Sequence, residues 1–144
     1  MSGISRIIAG VLITGICLGG LIGCSNDIQP VKVTGVLQVN GNAYSVGLSE
    51  QVFVVFISVS GLRAEGRLNT DATFTVSGPM QGAIPSGKYR VAITTRAIPG
   101  VEDDKGATKF SDFESKNTPL SIQIGGAESR HVLVDIGKKT VTTQ

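Results

Sequence analysis

The sequence predicts an all-β fold, a sandwich of about seven strands that follows an apolar N-terminal segment. Two observations predict it. After residue 30, short runs rich in Val, Ile, Thr and Phe alternate with polar residues and are separated by turn residues. Glycine is frequent, with 19 among 144 residues, and it recurs at these turns. No convincing helical period appears in this part of the chain, so we expect a single β domain.

The N-terminus has the order of an export signal. Residues 1–6 form a short polar segment with one positive charge, and residues 7–22 form an uncharged, mostly apolar segment. The apolar run has the length of a signal-peptide core and is slightly short for a membrane span. A polar segment, 25–27, follows at once. The N-terminus is therefore predicted to direct secretion.

The end of this segment reads Leu21-Ile22-Gly23-Cys24 and resembles the lipobox of bacterial lipoprotein signal peptides. The resemblance implies signal-peptidase recognition of Leu21, Ile22 and Gly23, cleavage before Cys24, and a diacylglyceryl group on Cys24. Two or more acyl chains give stable anchoring, at about 0.8 kcal/mol per buried CH₂. Ser25, the next residue, favours the outer membrane under the sorting rule of some diderm bacteria. The alternative is an uncleaved N-terminal membrane helix.

These signals divide the chain into four parts. We expect a lipoprotein signal peptide at 1–23, a tether at 24–30, a β-sandwich at 31–137 and a C-terminal tail at 138–144. Cys17 lies in the signal peptide, so the sandwich contains no cysteine and no disulfide can stabilise it.

The strands follow from the alternation and the turn dipeptides. Asn40-Gly41 predicts a tight turn, because both residues tolerate positive φ. Residues 77–88 and 97–118 are predicted to be loops, the second of them long and mobile. The predicted strands cover residues 31–39, 52–59, 62–68, 73–76, 89–96, 120–124 and 131–136. Of these, 52–59 is the most buried, and Tyr89, Val91 and Ile93 face the core. Such spacing favours an immunoglobulin-like sandwich.

A series of motifs resembles the small planctomycete lipoproteins that carry a carboxypeptidase-regulatory-like, or transthyretin-like, domain. The motifs stand in the family's order: Val33-Thr34-Gly35-Val36, Asn40-Gly41, Val54-Val55-Phe56, Thr70-Asp71-Ala72-Thr73-Phe74, Gly82-Ala83-Ile84-Pro85-Ser86-Gly87-Lys88-Tyr89, and Lys109-Phe110-Ser111-Asp112. Two positions depart from the family's motifs. Ala72 stands where the family has Gly, two residues before Phe74, and Phe110 stands where the family has Tyr. The resemblance covers essentially the whole chain and implies a transthyretin-like (prealbumin-like) sandwich without a defined activity.

Catalytic and metal-binding patterns are missing from the sequence. His131 is the single histidine and is predicted to lie on the surface. Asp71 is expected to support its turn through a bond to the backbone rather than to bind calcium. The acidic run at 102–104 is expected to be a solvated loop. No nucleophile motif or phosphate-binding loop is present. We therefore predict no catalytic residue, no metal and no cofactor, and expect the protein not to be an enzyme.

Thirteen Lys and Arg residues against 11 Asp and Glu leave the chain without the charge excess of a nucleic-acid-binding protein. The sequence thus predicts a lipid-anchored protein of the cell envelope, facing the periplasm or the cell surface, with a structural or protein-interaction role and an envelope protein as partner. The alternative is a membrane-anchored carbohydrate- or small-ligand-binding module. Its candidate contact residues are Tyr44, Tyr89, Phe110 and Phe113, although Tyr89 is predicted to point inward.

Overall fold

The computed structural model describes residues 28–101, 109–126 and 128–144, which form two β-sheets. The predicted signal peptide, the lipobox at 21–24 and the acidic run at 102–104 lie outside these residues. Within the described ranges, helix is confined to one 3₁₀ turn, Ser111–Phe113, and no helix is long and apolar enough to cross a bilayer. The predicted all-β sandwich is confirmed at this level.

Ten strands build the two sheets. In chain order they are β1 (Pro30–Val39), β2 (Asn42–Ala43), β3 (Glu50–Ser58), β4 (Arg63–Arg67), β5 (Thr73–Thr75), β6 (Ile84–Pro85), β7 (Gly87–Ala97), β8 (Ser121–Ile124), β9 (Ser129–Asp135) and β10 (Thr140–Thr143). Every predicted strand corresponds to one of these. Three further strands, β2, β6 and β10, were not predicted.

The first sheet is arranged around β1. One edge of β1 pairs in parallel with β9, which in turn pairs with β10. The other edge of β1 is covered in succession by the short strands β6, β5 and β2. Strand β5 corresponds to the predicted strand 73–76, but β6 and β2 have only two residues each and cannot show the alternation over four or more residues by which a strand is recognised from sequence.

The second sheet has the strand order β4-β3-β7-β8 and is antiparallel throughout. Strand β3 lies between β4 and β7, and its six central residues are all buried. The prediction that this strand is the most buried is thus consistent with the structure. A continuous Val, Ile and Phe run is typical of a strand covered on both faces.

The main core lies between the sheets and is apolar. Tyr89, Val91 and Ile93 point into it from β7, as predicted, with exposed fractions of 1% or less. Phe56 packs edge-on against Tyr89, with ring centroids 6.2 Å apart, and lies 6.4 Å from Phe74. Among the described residues no buried side-chain nitrogen or oxygen lacks a hydrogen-bond partner.

The predicted boundaries need three corrections. Residues 138–144 are not a tail, because β10 pairs with β9 and its Val141 packs against the core. The predicted tether 24–30 ends one residue too late, since Pro30 already pairs with Pro85. The loop predicted at 77–88 contains β6 and the buried Ile84. In each case a long-range pairing decides the boundary.

Candidate functional site: an arginine-flanked sheet face

The outward face of the second sheet carries an apolar stripe that is separate from the main core. Phe53, Val55 and Ile57 of β3 and Ala92 of β7 form this cluster, and each is at most 8% exposed. Alternation along β3 sends Val54 and Phe56 inward, so the stripe residues necessarily point outward. The stripe is therefore an outer apolar surface that neighbouring side chains cover.

Long cationic side chains flank this stripe on both neighbouring strands. We call this surface the arginine face and define it by its residues: the stripe Phe53, Val55, Ile57 and Ala92, and the flanking Arg63, Glu65, Arg67, Lys88, Arg90 and Arg96. Arginine can lay its aliphatic stem on an apolar surface while its charged head stays in water. This explains how the stripe is buried while the arginines are exposed.

Two arginines converge on the segment that follows the 3₁₀ turn. Arg63 and Arg90 both lie beside Ile57 in the sheet register. Arg90 Nη1 donates to the carbonyl oxygen of Ser115 at 2.9 Å, and Arg63 Nη2 lies 3.4 Å from Ser115 Oγ. A guanidinium has five N–H donors, so both arginines retain donors for a ligand.

A third arginine is fixed over the aromatic ring of the stripe. Arg96 Cζ lies 4.1 Å from the ring centroid of Phe53, and Arg96 Nη2 lies 2.7 Å from Glu65 Oε2. Both partners of this ion pair are well exposed, so the pair contributes little stability. Its effect is to orient a planar guanidinium above an aromatic ring, which is a typical arrangement in binding surfaces.

Overall composition gives no hint of this face because the charges of the whole chain nearly balance. The signal lies in the alternation. Arg63, Glu65 and Arg67 occupy every second position of β4, and Lys88 and Arg90 do so in β7. Once both strands are placed beside β3, these positions must share one face. The sequence does not show that β4 and β7 both pair with β3, and without this pairing the arginine face cannot be predicted.

An open hollow of about 400 Å³ lies beside the arginine face, at the edge of β7. Residues 93–95 and 114–116 line it together with Phe110. It is open to solvent and lined by polar as well as apolar atoms, so it does not resemble the enclosed apolar pockets that hold small molecules.

The aromatic residues considered for carbohydrate binding are buried. Phe110 is 3% exposed, Phe113 8%, Tyr44 6% and Tyr89 1%. Phe110 packs against Tyr44, with centroids 5.5 Å apart, and the 3₁₀ turn brings Phe113 into the core. Tyr44, Phe110 and Phe113 lie outside the strands, but their side chains are buried in the core, so they do not form an open aromatic face. The segment 97–118 is predicted as a long mobile loop, and its described residues 109–118 contain the 3₁₀ turn and contribute Phe110 and Phe113 to the core.

Tyr44, Glu50 and Lys109 form a polar cluster above these rings. Tyr44 Oη donates to Glu50 Oε1 at 2.9 Å, and Lys109 Nζ lies 3.9 Å from the same oxygen and 4.8 Å from the Tyr44 ring centroid. Burial raises the pKa of Tyr44, and the hydrogen bond to Tyr44 raises the pKa of Lys109. A catalytic base works best with a pKa near the operating pH. Both pKa values move further from neutral pH, which does not suit a catalytic base. The contacts of the cluster instead hold the segment after residue 108 against the sandwich.

The other candidate residues have structural partners. Asp71 Oδ1 accepts from the backbone N–H of Thr73 at 3.0 Å, which confirms the predicted turn bond. His131 is partly buried, and its Nδ1 lies 3.2 Å from Thr34 Oγ1 on the neighbouring strand. Within the described ranges no three His, Cys, Asp or Glu side chains are grouped closely enough to hold a metal ion.

Cys24 and the lipobox residues Leu21, Ile22 and Gly23 lie outside the described residues, so lipid attachment stays a prediction. The described part begins four residues after Cys24 and enters β1 at Pro30. Comparison of the chain with family models, with curated proteins and with solved structures finds no match.

Proposed function

We propose that this chain is an exported cell-envelope protein, held in a membrane by lipid on Cys24, whose sandwich has a non-enzymatic role in binding another protein. The observation that carries the interaction role is the arginine face, with its apolar stripe and flanking guanidinium groups. The lipobox supports the anchor, and the early start of β1 leaves a tether of only a few residues.

The finer fold assignment belongs to the same proposal. We assign the sandwich to the transthyretin-like type that the motif series implies. In an antibody constant domain the strand order is ABED in one sheet and CFG in the other. Here β3, β4, β7 and β8 share one sheet, and β1 pairs with β9 in parallel. This order favours the transthyretin-like variant over the antibody type.

The chemistry of the arginine face favours an acidic protein as partner. Arginine and aromatic residues are enriched in protein interfaces, and a guanidinium binds a carboxylate through two parallel hydrogen bonds. Arg67 makes no hydrogen bond or ion pair with a described residue, and Arg63, Arg90 and Arg96 retain donors. A partner that presents Asp and Glu side chains would match this set.

Crosslinking in intact cells, followed by pull-down of the chain, tests the interaction role. We expect Arg67→Glu and Arg90→Glu to reduce recovery of the crosslinked partner. Lys139→Glu is the matched control, because it makes the same change in charge on the other sheet, at the turn before β10. Equal recovery from all three variants would contradict a role for this face.

Mass spectrometry of the mature N-terminus tests the anchor. We expect the wild-type chain to begin at Cys24 and to carry a lipid adduct, and we expect Cys24→Ala to lack both the cleavage and the adduct. An unmodified Cys24 in the wild-type protein would contradict lipid anchoring.

A further inference from the structure

We propose that the end of the sandwich nearest Cys24 rests directly on the phospholipid bilayer. This inference rests on the proposed lipid anchor and adds a second membrane contact made by the folded domain. We call this end the anchor end and define it by Ile28, Val59, Leu62, Pro85 and Lys88, which line one open groove of about 450 Å³.

The anchor end exposes large apolar side chains. Ile28 is 63% exposed and Val59, which follows the last residue of β3, is 90% exposed. The two residues are 31 positions apart in sequence, and the pairing of Pro30 with Pro85 brings their segments together. Apolar side chains grouped at one end of a domain are a feature of surfaces that enter the boundary between headgroups and acyl chains.

The tether identifies the bilayer as the occupant of this surface. Cys24 and Ile28 are four positions apart in sequence, and a fully extended chain spans at most about 3.6 Å per position, or roughly 14 Å here. Strand β3 has nine residues, which at about 3.3 Å each gives a sandwich roughly 30 Å long. With Cys24 inserted through its lipid, Ile28 and Val59 are held within one short tether of the headgroups.

The charges at this end fit anionic headgroups. Lys88 lines the groove, and Arg63 and Arg90 flank Ile57, two residues before Val59. A basic residue close to an anionic membrane surface is attracted to it, and the attraction falls off over a short distance. The combination of exposed apolar and basic side chains is the one that peripheral membrane surfaces use.

The opposite end of the sandwich offers a matched control. Leu48 precedes β3 by two residues and is 99% exposed, so it lies about one strand length away from Val59. The chain contains no Trp, so a single introduced Trp reports its own surroundings. Val59→Trp and Leu48→Trp replace exposed side chains, and urea unfolding will show that both variants keep the wild-type stability.

The test uses the full chain, purified with its lipid and reconstituted into phosphatidylethanolamine and phosphatidylglycerol vesicles that contain brominated acyl chains. We expect Val59→Trp to lose most of its fluorescence and to shift its emission to shorter wavelength, while Leu48→Trp keeps both. Adding Lys88→Glu to Val59→Trp should reduce the quenching.

The outcomes separate this inference from the anchor itself. If the protein floats with the vesicles but neither Trp is quenched, or both are quenched equally, docking of the anchor end is overturned and the lipid anchor stands. If mass spectrometry finds no lipid on Cys24 and the protein does not float with the vesicles, the proposed anchor fails, and the inference built on it fails with it.

Discussion

Among the described residues, Asp135 is the charged side chain that the fold buries most completely, at 2% exposed. Its two carboxylate oxygens accept from the backbone N–H groups of Asn40, Gly41 and Lys138 at 2.8–3.0 Å. Burial acts to raise its pKa, but these three hydrogen bonds and the charge of Lys138 outweigh it, so the pKa lies below the ordinary value. Asp135 thus joins the turn after β1 to the turn after β9.

Replacing Asp135 tests this connection. We expect Asp135→Asn to lower the free energy of unfolding by about 2 kcal/mol, because hydrogen bonds to a charged group contribute roughly 1.5–3 kcal/mol. Asp71→Asn, in an exposed turn, is the control and should cost less. Urea unfolding at pH 7 measures both, and equal losses would contradict the special role of Asp135.

The same residue predicts a pH dependence. A lowered pKa means that the unfolded state binds the proton more readily, so the carboxylate stabilises the fold above about pH 3.8, its ordinary pKa. That contribution is lost as the pH falls through the lower pKa of the folded state. The stability difference between wild type and Asp135→Asn should therefore be full near neutral pH and shrink below about pH 4. A difference that stays constant down to pH 2 would refute this assignment.

At the scale of the elements, β1 is the strand on which the first sheet depends. Gly35 lies at its centre, between Phe74 of β5 and Val132 of β9. A Cβ atom at this position would lie 2.4 Å from both Phe74 Cζ and the backbone oxygen of Val132. The motif Val33-Thr34-Gly35-Val36 therefore has a packing reason: the Phe74 ring occupies the space beside Gly35, and the backbone of β9 approaches it closely.

This close approach predicts the cost of adding one methyl group. We expect Gly35→Ala to destabilise the protein by about 1–3 kcal/mol, the usual range for overpacking in a core. Gly47→Ala is the matched control, because its nearest contact would be an ordinary 3.5 Å to the Glu50 side chain. Chemical denaturation of both variants measures the difference, and a Gly35→Ala protein of wild-type stability would show that the Phe74 ring and the β9 backbone can move aside at no cost.

Strand β10 shows where local reasoning failed. Thr140-Val141-Thr142-Thr143 offers one apolar residue among three threonines, too little alternation to predict a core strand. It forms because β9 would otherwise leave an edge of unpaired backbone groups. The sandwich therefore extends beyond the boundary at residue 137 that was predicted from the apolar pattern.

At the scale of the whole molecule, the position of the charges matters more for attracting a partner than the net charge does. The formal net charge is +2, but four arginines and Lys88 share one sheet face with Glu65. Such clustering produces a local positive potential that steers acidic partners and weakens with added salt. The anchor end and the arginine face share Lys88, and Arg63 and Arg90 lie close to it, whereas Arg67 and Arg96 lie further along the sheet beside Phe53 and Gln51. A protein resting on the bilayer would therefore keep the Arg67 and Arg96 part of the face free for a partner.

Cation-exchange chromatography can detect this clustering without knowledge of the partner. We expect Arg67→Glu to elute from the column at lower salt than Lys139→Glu at pH 7, although the two variants have the same net charge. The reason is that a matrix binds through the face where positive charges lie together. Elution of both variants at one salt concentration would mean that the arginine face holds no concentrated charge.

The sequence by itself determined the all-β class, the central strands, the core-facing residues of β7 and the turns at Asn40-Gly41 and Asp71, because alternation and turn chemistry act between near neighbours. The lipobox at Cys24 is also read from a local pattern. The tertiary structure alone decided that β10 and the two-residue strands form, that Phe110 and Phe113 are buried, and that arginines from β4 and β7 meet on one face. The physical reason is that strand pairing joins residues far apart in sequence, so local periodicity carries no record of which strands become neighbours.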